Sequence, residues 1–169
     1  MSNKTKVAVT MATVISLGGI AWTQSREGTV LNPYYDSVKV ATIGTGTTVY
    51  PNGKTVKITD PPITKKQAAE YLQFHMNKDA KIFNKTLVGI PLSQTEYDLY
   101  MDFTYQFGTG AWSQSSMLRN LKSRNYLQAC KSLLKWKYAA KRDCSIRSNN
   151  CYGVWTRQQA RYEKCIGEN

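Results

Sequence analysis

The alternation of apolar and polar positions divides the chain into three zones: an apolar N-terminal run, a short β-patterned segment, and a long stretch of helical periodicity. The first is VAVTMATVISLGGIAWT, residues 7–23, seventeen residues without a formal charge that follow Lys4 and Lys6. A basic flank before an apolar run is an export or membrane signal. It is compatible with a cleaved signal peptide, a transmembrane anchor or a buried helix, and it falls short of the ~20 residues that span a bilayer comfortably. Nine of the seventeen residues are Thr, Ser, Gly or Ala, so hydrocarbon holds the segment weakly. The positive flank keeps that end cytoplasmic and sends the rest of the chain across.

From Val30 to Thr59 the chain is rich in Thr, Val, Tyr and Gly, and Asn52-Gly53 separates VY from KTVKI as a hairpin turn. This pattern predicts a small antiparallel sheet. Asp60-Pro61-Pro62 stops it, and from Thr64 the residues Ala68, Tyr71, Leu72, His75 and Met76 recur at helical spacing. That helix is expected to bridge two lobes. Ser93 and Glu96 form a capping-box pattern that opens a helix through Phe107, closed by Gly108 and Gly110. Further helices are expected over residues 113–122, 126–140 and 156–165, the last preceded by a Cys-bounded loop. No internal repeat or low-complexity tract is present.

At 169 residues and 41% apolar composition, the chain suits one globular domain with a real core. Its net charge of +12 is uneven: residues 111–169 hold twelve Lys/Arg against three Asp/Glu. An anionic partner follows, whether nucleic acid, an anionic membrane surface or a bacterial cell wall. Export makes DNA a poor main partner. Cys130, Cys144, Cys151 and Cys165 all lie in the last forty residues, and their even number favours disulfides in an exported protein. Their gaps lack the close pairs of zinc sites, and the sole His, His75, is far away in sequence. Three pairings are open; Cys144–Cys151 as a short loop closure and Cys130–Cys165 as a staple between helices are favoured.

The candidate chemistry emerges by elimination. One His makes a Ser-His-Asp relay improbable, and His75 sits in a helical pattern as a structural or surface residue. Cysteines committed to disulfides are not nucleophiles, and Gly44-x-Gly46 lacks the third Gly and following helix of a phosphate cradle. Carboxylates remain. The first 59 residues hold only two, Glu27 and Asp36, and a carboxyl pair is what glycosidic cleavage requires: one protonates the leaving oxygen and the other activates water or attacks the sugar. A spacing of nine residues is not specific by itself.

The surrounding residues are more specific. EG-x4-PYYD-x5-TIGTG resembles the catalytic signature of phage-type lysozymes, the endolysins of glycoside hydrolase family 24. YQFGTGAW (105–112) with SSMLRNL resembles the family's second motif, and GVWTRQQARYEKC (153–165) its C-terminal Arg-rich helix. The resemblance implies a lysozyme-like α+β fold, with a small antiparallel β lobe (27–62), a linking helix (64–83) and a larger helical lobe (86–169). Together these make a lysozyme domain over 26–169. It implies hydrolysis of the β-1,4 bond between N-acetylmuramic acid and N-acetylglucosamine in peptidoglycan, with no cofactor or metal, by a monomer. Glu27 matches the general acid, Asp36 the second carboxylate, and Thr42 the hydroxyl that helps hold the attacking water. Gly46, Tyr105 and Gln106 match positions that face the substrate. Inversion at the anomeric carbon is expected by the same analogy. The chain departs from the family where Thr47 stands in place of a usual His. A lytic transglycosylase and a noncatalytic wall-binding module are the competing readings.

Residues 1–25 resemble the signal-anchor-release segments of some endolysins. These are exported uncleaved, tethered to the inner membrane through residues 7–23 as an N-terminal signal-anchor helix, then released into the periplasm. Trp22 stands five residues before Glu27, so the anchored form is expected to pin Glu27 at the membrane surface.

Overall fold

A computed structural model describes residues 4–36 and 38–169. Among these residues the fold is α+β. In chain order the elements are β1 (Val7–Ala8), α1 (Leu17–Glu27), β2 (Val30–Tyr35), β3 (Ala41–Gly44), α2 (Lys65–Leu87), β4 (Pro91–Leu92), α3 (Gln94–Gln114), α4 (Ser116–Lys122), α5 (Tyr126–Leu133), β5 (Tyr138–Ala139), β6 (Arg142–Asp143) and α6 (Tyr152–Ile166). All three sheets are two-stranded and antiparallel: β1 with β4, β2 with β3, β5 with β6. The chain forms two compact units, Val14–Ala80 and the residues up to Thr13 together with Lys81–Asn169.

The smaller unit holds α1, β2, β3 and most of α2. Its core is Ile43, Val56, Ile63 and Ala68, against which Leu31, Ala41, Tyr50 and Tyr71 pack. Two of the sequence-derived strands shrink. Beyond Gly44 the expected sheet continues only as the isolated bridges Ile43↔Thr47 and Val49↔Thr55, because two glycines at positive φ, Gly44 (65°) and Gly46 (81°), turn the chain back at once. Asn52-Gly53 makes the expected turn, with Gly53 N donating to Tyr50 O at 2.9 Å.

The larger unit is built on α3, whose capping box forms as the pattern predicts: Ser93 Oγ accepts from Glu96 N (3.1 Å) and Glu96 Oε2 from Ser93 N (2.9 Å). At Gly108 (φ 89°, ψ 159°) the backbone leaves the helical region as expected after Phe107, and a second helical stretch follows at once, so that Gln94–Gln114 is two helices meeting at a kink. Phe83, Tyr97, Tyr100 and Phe103 are buried around the equally buried Trp112, whose indole donates to Thr86 Oγ1 at 2.9 Å. Arg161 and Asp102 form a buried ion pair, Nη2 to Oδ2 at 2.6 Å. Disulfides join Cys130 to Cys165 and Cys144 to Cys151. The helix expected over 126–140 stops at Leu133. Past it the chain turns into the β5–β6 hairpin, pinned by Lys137 and Asp143 at 2.8 Å.

The apolar N-terminal run is not one helix here. Val7 pairs with Leu92 and Val9 N donates to Ile90 O at 3.0 Å, while Asn84 Nδ2 donates to the carbonyls of Met11 (3.2 Å) and Thr13 (2.8 Å). A new helix starts only at Leu17, with Ser16 Oγ accepting from Gly19 N at 3.0 Å. The Thr and Ser residues that weaken the run as a membrane span also break it. Their hydroxyls bond nearby backbone amides, Ala12 N to Thr10 Oγ1 (3.2 Å) and Thr10 N to Thr13 Oγ1 (2.9 Å), and so compete with helical bonding. Val9, Ile15 and Ile20 are buried, whereas Val7 and Leu17 are exposed. Among the described residues no helix is long and apolar enough to cross a membrane.

Candidate active site

Glu27 is the last residue of α1. Gly28 follows at φ 81°, a conformation costly for any other residue, and its N–H closes the helix on Gln24 O at 2.9 Å. Helix end and glycine together set the direction in which the chain leaves for β2. The half-buried Glu27 side chain is thereby fixed at a junction rather than within an element. Thr29 and Thr45 meet through their hydroxyls at 3.0 Å, joining the start of β2 to the turn after β3.

Asp36 stands just past the end of β2. Its Oδ1 accepts from two backbone amides, Val38 N at 2.9 Å and Val40 N at 2.8 Å, while Asp36 N donates to Val40 O at 3.0 Å. This is the local bonding that makes Asp a turn residue. Oδ1 is thus spent on holding the loop, and Oδ2 has no protein donor among the described residues. Lys39 takes φ 61° inside the same turn. Thr42 lies opposite Tyr34 in the β2–β3 register, is buried, and donates its hydroxyl to Val40 O at 3.0 Å. Asp36 and Thr42 therefore both bond Val40, so the carboxylate and the hydroxyl are positioned by one short loop. The Thr42 oxygen keeps acceptor capacity for another donor.

Gly46 occupies the exposed turn after β3 at φ 81°. Thr47 bonds Ile43 through both backbone groups (2.9 and 3.0 Å), but its own buried Oγ1 has no hydrogen-bond partner among the described residues. His75 packs edge-on against Phe74, ring centres 5.5 Å apart, and is held below its ordinary pKa by burial. It behaves as a packing residue. No group of three or more His, Cys, Asp or Glu that could hold a metal occurs among the described residues.

Tyr105 and Gln106 belong to the larger unit, half-buried on α3 just before the Gly108 kink. Gln106 Oε1 is buried without a hydrogen bond among the described residues. In the same unit Gln158, wholly buried on α6, has neither side-chain polar atom bonded among the described residues. An unbonded buried polar group costs about 1–3 kcal/mol, so among the described residues both glutamines stand as local costs to stability. Gln158 escaped the sequence reading. Its only signal is the RQQAR run, in which 158 and 161 fall on one helical face.

Comparison with known proteins gives these residues a context. The family model for phage lysozyme matches residues 24–161. The chain is 34% identical over 129 residues to an endolysin of Salmonella phage P22, covering 75% of this chain and 86% of that one. It is 28% identical over 134 residues to a SAR-endolysin of Escherichia phage 933W, covering 79% and 74%. Among solved structures, a crystal structure of a P22 lysozyme mutant superposes with TM-score 0.78 at 29% identity, over 91% of this chain and 99% of that one.

Proposed function

The chain belongs to the phage lysozyme family, and from that premise we propose how it cleaves bacterial peptidoglycan as an endolysin. The bond cut is the β-1,4 link between N-acetylmuramic acid and N-acetylglucosamine. Glu27 gives its proton to the departing glycosidic oxygen as the C1–O bond breaks. Asp36, through Oδ2, orients a water and takes up the proton it loses as its oxygen bonds to the anomeric carbon. Thr42 accepts a hydrogen bond from that water on the lone pair its bond to Val40 leaves open. The carboxylate also stabilises the oxocarbenium-like transition state. Attack from the face opposite the leaving group inverts the anomeric centre, as in family 24. Gly46, Tyr105 and Gln106 are the candidate substrate contacts, Gln106 Oε1 being an acceptor with no protein donor among the described residues.

The observation that carries this reading is the shared bonding of Asp36 and Thr42 to Val40, in a chain whose family match includes all three candidate residues. The test is digestion of purified cell wall with product analysis, for the native chain and Glu27→Gln. Hydrolysis adds water; 1,6-anhydro products would instead mark a lytic transglycosylase, and wall binding without cleavage a noncatalytic module.

The proposal includes the route to the wall. Residues 1–25 act as a signal-anchor-release segment ahead of a lysozyme domain over 26–169: exported uncleaved, held in the inner membrane by residues 7–23, then released to the periplasm as a monomer. Support comes from the basic flank, the weak apolarity of the run and the SAR-endolysin relatives. Membrane and folded placements compete for the same residues. With 7–23 in the bilayer, Lys4 and Lys6 stay on the cytoplasmic side and cannot reach Glu168 and Glu96, their partners in the folded chain. Glu27, close behind the span, is likewise kept from its folded position.

A further inference from the structure

We infer that the smaller unit carries a second glycan-binding site, a groove between the Tyr50–Asn52 turn and the start of α2 that takes an N-acetylated pyranose of the wall polymer. The inference rests on the proposed function for the identity of that polymer. None of Glu27, Asp36, Thr42 or Gly46 lines the groove.

The cavity is about 410 Å³, open to solvent, and lies wholly within Val14–Ala80. That volume is at the lower end of the roughly 300–1,000 Å³ of ligand pockets. Its walls are rigid rings. Pro51, Pro61 and Pro62 line it together with Tyr50 and Tyr71, whose rings meet edge to face at 5.6 Å. Tyr50 is locked: its hydroxyl donates to Asp60 Oδ2 at 3.0 Å, and the same oxygen accepts from Lys57 N at 2.8 Å. Burial and the neighbouring Asp60 carboxylate push the Tyr50 hydroxyl up to about 12, so it remains a donor throughout the neutral range.

The polar groups around these rings are those the protein leaves unused. Asp60 commits only Oδ2, Asn52 only Oδ1 (to Lys54 N, 3.0 Å) and Gln67 only Oε1 (to Thr64 N, 2.8 Å). Asp60 Oδ1 as acceptor, and Asn52 Nδ2, Gln67 Nε2, Tyr71 Oη and Lys54 Nζ as donors, have no protein hydrogen bond among the described residues. A pyranose matches this layout. Its C–H face is flat and apolar, and its edge carries hydroxyls and an acetamide that both donate and accept. Lys54 adds a cation for the lactyl carboxylate that N-acetylmuramic acid carries wherever no stem peptide is attached to it, and that N-acetylglucosamine lacks. A site outside the reacting bond would hold an insoluble polymer against the enzyme between cuts, raising its effective concentration.

The experiment uses full-length Glu27→Gln protein, so that glycan survives, and follows NMR signals of residues 50–54 and 60–71. Three probes are added separately: a peptide-free N-acetylglucosamine tetramer, a sugar-free wall tetrapeptide and, for the second variant, a peptide-free tetramer that contains muramic acid. Saturable shifts at Tyr50 and Tyr71 with the tetramer are expected, weakened about tenfold in Tyr71→Ala, an effect on the scale of one aromatic contact. Tyr71 also packs on the core, so Lys54→Ala, an exposed change, is the second variant: it should weaken a muramic-acid-containing tetramer and spare the N-acetylglucosamine one. Silence of residues 50–71 toward the tetramer, or a response to the tetrapeptide alone, overturns the site. Because the readout is binding, it is independent of catalysis. Wall cleavage persisting in Glu27→Gln defeats the proposed function, whereas an inactive variant with a silent groove defeats only this inference.

Discussion

Lys6 Nζ lies 2.6 Å from Glu96 Oε1, joining a cation near the N-terminus to the buried carboxylate that caps α3. The ammonium also sits 3.7 Å from the centre of the Tyr126 ring, and Asn169 Nδ2 donates to the same Glu96 oxygen at 2.9 Å. Replacing Lys6 by Met leaves Glu96 buried without its cation. The expected loss is about 2 kcal/mol, below the full cost of breaking a buried pair because Lys6 keeps partial exposure. That corresponds to a fall of roughly 4–8 °C in Tm for a chain this size. A melt unchanged from the native chain would show that the pair contributes nothing, and adding Glu96→Gln to Lys6→Met should restore part of the loss.

Glu27→Gln and Asp36→Asn should each lower wall hydrolysis by at least about 10²-fold, the smaller end of what a positioned acid or base contributes. Folding should survive. Glu27 closes a helix whose cap is made by the Gly28 backbone, and an Asn oxygen at 36 can still accept from Val38 and Val40. Turbidity clearing of purified sacculi, with circular dichroism as the control for structure, separates lost chemistry from lost fold.

Thr42→Val keeps the shape but removes the hydroxyl that bonds Val40 O at 3.0 Å. One ordinary hydrogen bond corresponds to about 1 kcal/mol of stability, whereas the activity loss should exceed the roughly fivefold that such a loss would equal. A Thr42→Ser protein that recovers activity but not stability would assign the hydroxyl to the reaction. If Thr42→Val retains native turnover, Thr42 has no part in holding water.

Gly18 and Ala21 lie on the exposed side of α1, and a Cβ at Gly18 meets only Ser16 Oγ at 3.5 Å. The double change Gly18→Leu/Ala21→Leu should therefore leave the folded chain intact while making residues 7–23 a stronger span. Fractionation of expressing cells should find more of the chain in the membrane and later lysis. Unchanged partitioning would remove weak apolarity as the control of release.

Asp143 is held down to about 2, first by the hydrogen bond from Lys137 and then by Ser145. A depressed carboxylate stabilises the fold above its unfolded value, about 3.9, and that contribution fades as pH falls toward 2. The β5–β6 hairpin should accordingly loosen between pH 4 and 2. Amide exchange at residues 137–145 measures this, and Asp143→Asn should abolish the dependence.

Much of the local structure is legible in short stretches of chain. Ser93-x-x-Glu96 encodes its own capping box, and Asn52-Gly53 its own turn, because each involves atoms a few residues apart. The α2 helix follows from apolar periodicity. A boundary that depends on more distant partners is not legible in this way: the helix from Tyr126 ends at Leu133 instead of running to Ala140, because the chain turns into the β5–β6 hairpin. The apolar run is compatible with several fates by sequence, and only the fold shows its carbonyls at Met11 and Thr13 accepting from Asn84, a partner more than seventy residues away.

The same division holds for the site. The sequence by itself determined the available chemistry, since it left two carboxylates in the first 59 residues and a motif order shared with phage lysozymes. It also determined the conflict in residues 7–23, apolar enough for export and too rich in Thr, Ser and Gly for a firm anchor. Only the tertiary structure decided which cysteines join among three pairings, which Asp36 oxygen is committed to the loop and which is open, and that Tyr50, Asp60 and Tyr71 enclose one groove. The reason is physical: residue type sets what a group can donate, accept or bury, but hydrogen bonds and packing between residues far apart in sequence exist only once the chain has folded.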